Sequence, residues 1–359
     1  LRDRRIALAA LTGLVLLAFG GCLTASFHFD DYGLLHDPAI RSAGGWRLLW
    51  RWEQTRPLTY FTFWISYAWG GTRPAGYHAV SLGLHLATVL LLFDTLRRRL
   101  DTRVALAAAA LFALHPIQTE AAVYVYQRAT LLAGLLCVLA LRDWLEQRHW
   151  RAALWFTAAL LAKEECAAFP VFLALLELAE RRAVRPWKPL LAMAAMALAA
   201  AIRVILALRE PASGAGAGSV YSPWQYLAAQ GPVIWRYFRL LVIPWGFTVD
   251  PEIHVPPVAA AVAAWIGIAA AAALAMRRFW GLREGFWLIA GLVLLLPSSS
   301  VFPADDLAAD RRMYLPLIAI APAVALLTAR LPFRYLAAAA AALVLLTAAR
   351  VHVWQTEER

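Results

Sequence analysis

"IALAALTGLVLLAFGGCLTASFHFDD", residues 6–31, decides how the rest of the chain is read. Residues 6–26 carry no charge, and a helix of that length rises about 30 Å, the thickness of a bilayer's hydrocarbon core. Two adjacent carboxylates, Asp30 and Asp31, then stand where the helix leaves the bilayer, inside "FHFDDYGLLHD" (27–37). The apolar pattern recurs at 77–96, 104–116, 129–142, 152–163, 167–180, 189–209, 257–276, 285–297, 313–329 and 335–351. Several of these are shorter than the roughly 20 residues of a lone spanning helix, but they adjoin polar turns into which the helices continue.

Composition agrees. The 359 residues are 62% hydrophobic and only 16% charged, with mean hydropathy +0.61. That is too little charge to cover a water-facing surface of this size. The expected fold is an all-α polytopic membrane protein of about 11 transmembrane helices with helices lying along one face. The net charge of +11 fits cytoplasmic loops that collect Lys and Arg beside anionic lipid headgroups. No nucleic-acid-binding motif is present, so membrane lipids are expected partners and nucleic acid is not. Cys22, Cys137 and Cys166 have unrelated spacings and read as small buried thiols, neither a disulfide framework nor a metal site. The chain opens on Leu1 rather than Met, which suggests that a few residues precede it.

Basic clusters recur at Arg2, Arg4 and Arg5; Arg97, Arg98, Arg99 and Arg103; Arg142, Arg148 and Arg151; Arg181, Arg182, Arg185 and Lys188; Arg277, Arg278 and Arg283; and Arg330 and Arg334. Placing all of them in the cytoplasm makes the spans alternate without conflict. This requires the Pro- and Trp-rich stretch 220–250 to lie along the outer interface, within an outer segment 210–256 that includes the flexible "PASGAGAGS" (211–219). The first outer loop, 27–76, alternates Trp and Arg over 46–52, as an amphipathic helix in the headgroup layer would.

The remaining polar clusters then share the outer face: 27–37, "HPIQTEAAVYVYQR" (115–128), "AKEEC" (162–166) and "SSSVFPADDLAADRRMY" (298–314). Ionisable groups at membrane depth are expensive and usually serve function, although solvated interfacial loops are the plainer alternative. One of Asp30 and Asp31 can act as general base toward an acceptor hydroxyl while the other orients the site. Glu120, Tyr124 and Arg128 fall at i, i+4 and i+8, one face of a helix able to grip a polar ligand or to pair internally. His115, before Pro116 where the helix must end or kink, is a proton carrier or a structural histidine. Arg128, Lys163 and Arg311 or Arg312 can together hold a phosphate at the bilayer surface. Cations on a departing phosphate and a carboxylate on the attacking hydroxyl make group transfer from a lipid carrier the implied chemistry.

The ordered set "FDDYGLL", "RPLTYFTFWISYAWGG", "LFALHPIQTEAAVYVYQRATLLAGLL", "LAKEECAAFP", "RLLVIPWGFTVD" and "ADRRMYLPL" resembles membrane glycosyltransferases of the GT-C superfamily. It is most similar to the transmembrane, tetratricopeptide-repeat-containing O-mannosyltransferase-like proteins and their bacterial relatives. The resemblance covers most of residues 25–320. It implies a single GT-C-like bundle over 1–359, a polyprenyl-phosphate-linked sugar as donor, and a Ser or Thr of a secreted or membrane protein as acceptor. It places the base on Asp30 or Asp31, and matches His115, Pro116, Thr119, Glu120 and Arg128, Lys163 and Glu164, and Asp310, Arg311, Tyr314 and Pro316. Departures are Gln127 for a glycine, Thr130 for an acidic residue, Cys166 near a usual glycine, and Asp310 where Glu is commoner. Many relatives continue past a stretch like "VWQTEER" (353–359) into tetratricopeptide repeats, which these residues do not include.

The expected activity is therefore inverting, lipid-phosphate-dependent glycosyl transfer. Asp30 or Asp31 serves as base. Arg128, Lys163, Arg311 and Arg312 bind the donor phosphate. His115, Glu120, Tyr124, Glu164, Asp310 and Tyr314 shape the sugar and acceptor pocket. No cofactor is expected, with a divalent metal beside the carboxylates left open. A lipid-linked-sugar flippase and a non-catalytic docking subunit are the competing readings. The Ala/Arg-rich usage suggests a bacterial inner membrane with the N-terminus cytoplasmic and the C-terminus and site periplasmic; the endoplasmic reticulum lumen is the alternative.

Overall fold

The computed structural model describes residues 2–180, 186–207, 216–249, 251–281 and 283–355. Arg181, Arg182 and Arg185 of one basic cluster, the first residues of the 211–219 loop and residues 356–359 lie outside them. The helices are α1 (Arg2–Phe19), α2 (Asp30–His36), α3 (Pro38–Arg41), α4 (Pro57–Gly70), α5 (Pro74–Leu96), α6 (Thr102–Leu114), α7 (Thr119–Val123) and α8 (Arg128–Leu145). They continue as α9 (His149–Ala162), α10 (Phe169–Ala179), α11 (Trp187–Ala207), α12 (Pro223–Val242), α13 (Val258–Gly281), α14 (Arg283–Leu295), α15 (Tyr314–Leu327) and α16 (Phe333–Val353). The chain is an all-α polytopic membrane protein, with no β-strand among the described residues.

Local chemistry starts the helices. Pro57, Pro74 and Pro223 occupy first-turn positions, where a missing N–H costs nothing and φ is already helical. Asp101 caps α6 by accepting the Arg103 N–H, and Ser222 with Gln225 forms a reciprocal capping box on α12. Pro116 ends α6 as expected: the axes of 102–114 and 116–123 differ by 50°.

Helices α1, α5, α6, α8, α9, α10, α11, α13, α14, α15 and α16 correspond one for one to the apolar segments of the sequence and run back and forth between two ends. Six described helices are long and apolar enough to cross a membrane, and the bent 102–123 pair makes a seventh if taken as one span. Helices α9, α10, α14 and α15 have 14, 11, 13 and 14 residues. Short 3-10 turns, Glu164–Ala168 and Asp310–Met313, precede α10 and α15. Large aliphatics such as Leu17, Leu191, Leu198, Ile266 and Leu345 project from α1, α11, α13 and α16. A bare apolar belt of this extent belongs against lipid.

One end of the bundle is basic. There Asp94 pairs with Arg4, Arg97 and Arg98, Glu146 with Arg98 and Arg148, and Arg99 with Glu180. The start of α1 lies at this end, and the end of α16 lies at the other. Helix α12 is 20 residues long, and both its ends stay at that other end. Tyr226 bonds the Ser298 carbonyl (2.7 Å), and the Leu241 carbonyl meets His115 (3.2 Å). It therefore does not run to the basic end. The first loop differs from expectation. Residues 45–50 form a 3-10 turn, and the loop's main helix is α4. Helix α4 is pinned to the end of α9 by a Thr59 hydroxyl donating to the Ala162 carbonyl (2.9 Å). Trp46, Trp50 and Trp52 remain exposed beside it.

Candidate functional site

Residues 115–128 are the hub of the non-basic end. The stretch leaves α6 at His115, turns through α7 and a 3-10 turn, and enters α8 at Arg128. Its Glu120 is fully buried. The carboxylate accepts the backbone N–H of Arg311 (3.0 Å) and also pairs with the Arg311 guanidinium, which reaches Asp306 as well. Tyr124 donates its hydroxyl to Asp30 Oδ2 (2.8 Å) and accepts the Asp30 N–H (3.1 Å). The Tyr126 N–H donates to Asp31 Oδ1 (2.7 Å). Gln127 Oε1 accepts from Lys163 Nζ (3.3 Å). Thus the three other polar clusters singled out in the sequence each bond to this one stretch, across 94, 95, 36 and 191 residues of sequence.

The adjacent aspartates do different work. Asp31 is fully buried; its second oxygen accepts the His28 N–H (3.0 Å), so the side chain ties loop 27–29 to the hub. Burial pushes its carboxyl up to about 7, against the pull of those two N–H groups, with Asp30 adding to the rise and Arg128 opposing it. Asp30 is exposed. Tyr124 holds one of its oxygens and the other faces outward without a protein partner among the described residues. Phe29, just before it, has φ +45° and is 63% exposed. A phenylalanine held in the left-handed region is backbone strain of the kind that gathers at functional sites.

Next to Asp30 opens a small aromatic groove of about 190 Å³, lined by Phe27, His28, Phe29, Tyr32 and Trp354 with two valines. Trp354 stacks on Tyr124, with ring centroids 5.8 Å apart at 24°. The end of α16 therefore buttresses the tyrosine that holds Asp30. On the far side of the hub, Lys163 is buried and donates to Thr130 Oγ1 (2.7 Å) and Glu165 (3.1 Å). Burial pulls its ammonium down. Glu164 forms a bidentate pair with Arg56. That cation outweighs the upward push of burial and brings the carboxyl to about 2.

Several residues singled out in the sequence have structural partners instead of an open face. Arg128 is fully buried. Its guanidinium donates to Ser66 Oγ (2.9 Å) and to the carbonyls of Thr62 and Tyr77 (both 3.1 Å), and lies over Phe63 and Tyr77. It staples α4 and α5 to α8. Arg312 is spent on the carbonyls of Leu307 and Asp306. Tyr314 is inside the bundle, bonded to His85 (3.1 Å). His115 accepts the Ile117 N–H and donates to the Leu241 carbonyl, which makes it a helix-end fastener.

Sequence reading missed Arg56, Arg236 and Arg350. Arg236 and Arg350 converge on the buried Asp310 at 2.6 and 3.2 Å. An arginine within a largely apolar helix, as both are, was the available signal. Among the described residues, no three His, Cys, Asp or Glu side chains are grouped to hold a metal ion.

Comparison with known proteins bears out the resemblance. The chain is 39% identical over 117 residues to protein O-mannosyl-transferase Tmtc1 of Drosophila melanogaster, covering 30% of this chain and 14% of that protein. It is 34% identical over 153 residues to protein O-mannosyl-transferase TMTC1 of Homo sapiens, covering 37% and 17%. It is also 38% identical over 100 residues to protein O-mannosyl-transferase TMTC4 of Homo sapiens, covering 24% and 14%. The matches span less than a fifth of these relatives' length. No protein-family model and no solved structure matches the chain.

Proposed function

We propose that the chain is an inverting glycosyltransferase that moves a sugar from a polyprenyl-phosphate donor to a Ser or Thr hydroxyl of a protein. The step takes place at the end of the bundle that carries Asp30. The observation that carries this reading is the convergence on residues 115–128 of an open carboxylate, Asp30, and a cation-bearing loop, that of Arg311. The names of the similar proteins support glycosyl transfer to protein. The charge bias of the basic end favours placing that end in the cytoplasm, with the site facing the periplasm of a bacterial inner membrane.

In the proposed step the outward oxygen of Asp30 takes the proton of the acceptor hydroxyl as that oxygen attacks the anomeric carbon. The anomeric carbon–phosphate oxygen bond breaks on the opposite face, inverting the centre, and its electron pair leaves with the lipid phosphate. Arg311 and Arg56 are the candidates to meet that negative charge, because both keep partial exposure. Tyr124 fixes the base, and Asp31 fixes the loop that presents it. Glu120, Glu164 and Asp310 hold the cations in place.

Asp30→Asn tests the assignment with polyprenyl-phosphate mannose and a Ser/Thr peptide, transfer being read by mass spectrometry. Loss of the base is expected to slow transfer about 10²–10⁴-fold with the thermal midpoint unchanged. A folded variant that transfers at the parent rate removes Asp30 as base.

A further inference from the structure

The basic end holds a second recess, remote from Asp30 and unused by the proposed reaction. Its volume is about 690 Å³, within the range of ligand-sized sites. The starts of α9 and α11 form it, and Arg148, Trp150, Arg151, Trp187 and Lys188 stand on its walls. Arg148 bonds Glu146 (2.6 Å) and Arg151 reaches Asp143 (3.2 Å), yet both side chains stay more than half exposed. Lys188 is exposed and makes no ion pair among the described residues. Among the described residues, three cations thus face two carboxylates, and two helix N-termini add partial positive charge.

What lies next to the cations specifies the ligand. Trp150 and Trp187 are 60% and 50% exposed, which suits indoles at a membrane–water interface. One helical turn further along each helix, Leu154 and Leu191 are bare, and Leu198 continues the stripe on α11. Cations, then indoles, then aliphatic side chains is the order of a phospholipid read from its phosphate into its chains. A soluble anion would match the cations but would not use the indoles and aliphatic side chains that adjoin them.

We propose that this recess binds one anionic phospholipid. Its phosphodiester lies among Arg148, Arg151 and Lys188, its glycerol lies between the two indoles, and its chains run over Leu154, Leu191 and Leu198. The site is independent of the glycosyl-transfer reading.

Native mass spectrometry of the whole chain in detergent tests it, with phosphatidylglycerol, phosphatidylcholine of the same chain length, and glycerol 3-phosphate as probes. The parent is expected to retain phosphatidylglycerol at least about tenfold more strongly than phosphatidylcholine, with glycerol 3-phosphate unable to displace it. Arg151→Glu with Lys188→Glu should lose that preference, and Lys188→Gln alone should lose part of it. Arg334→Glu, at the same end on α16, should keep it. Equal retention of the two lipids overturns the site. An equal loss in Arg334→Glu shows diffuse charge attraction, and displacement by glycerol 3-phosphate shows a site for a soluble anion; either overturns the proposal.

Discussion

Replacing Asp31 by Asn separates what burial does to this carboxyl from what its hydrogen bonds do. In the folded protein both oxygens meet backbone N–H groups, at 2.7 and 3.0 Å, bonds that favour the ionised form. Burial acts the other way and prevails, lifting the group from 3.8 to about 7. A carboxyl raised in this way contributes stability that is fully present below the unfolded value and is lost as pH climbs through about 7. At about 1.36 kcal/mol per pH unit, the rise corresponds to a contribution on the order of 4 kcal/mol. Asparagine, like the neutral carboxyl, carries no charge at any pH, but its one amide oxygen can accept only one of the two N–H groups. The variant should therefore start below the parent at about pH 4, by the cost of one lost hydrogen bond, and gain on it as pH rises to about 7. Thermal unfolding of both proteins in detergent, followed by tryptophan fluorescence across that range, gives the comparison. A variant that loses ground to the parent as pH rises would mean that the two N–H bonds outweigh burial. Asp31 would then be ionised throughout.

Arg128→Ala should lower stability by at least about 3 kcal/mol, because it strips charged donors from the Thr62 and Tyr77 carbonyls inside the bundle. The donor KM of the molecules that remain folded should not change; normal stability with weakened donor binding would restore the phosphate-ligand reading. Gly134→Ala should cost about 1–3 kcal/mol of stability. A Cβ there would stand 2.5 Å from Cε1 of Tyr314, whose ring is held by His85. Adding Tyr314→Leu should recover part of the lost thermal midpoint, and no recovery would place the strain elsewhere.

The spans were legible because hydropathy reports them directly: the segment read as 77–96 is the helix Pro74–Leu96. The helix Pro57–Gly70 was not, because its Trp, Tyr and Thr residues are too mixed to separate a packed helix from a surface strap. At the site, motif spacing found the stretch that organises the mouth and the acidic pair on it. It did not tell the open aspartate from the buried one, since the two differ only in which way a single turn of chain faces. Nor did it separate an arginine that faces a ligand from one that bonds carbonyls. Arg128 and Arg311 look alike in sequence, and only the positions of Thr62, Ser66 and Tyr77 make the first a staple.

The hub also sets a timetable. Glu120 waits for Arg311, 191 positions later, and Tyr124 waits for Trp354 near the close of the last described helix. A nascent chain inserting helix by helix would carry its aspartate pair early. The hub would stay unassembled until almost every segment had been made.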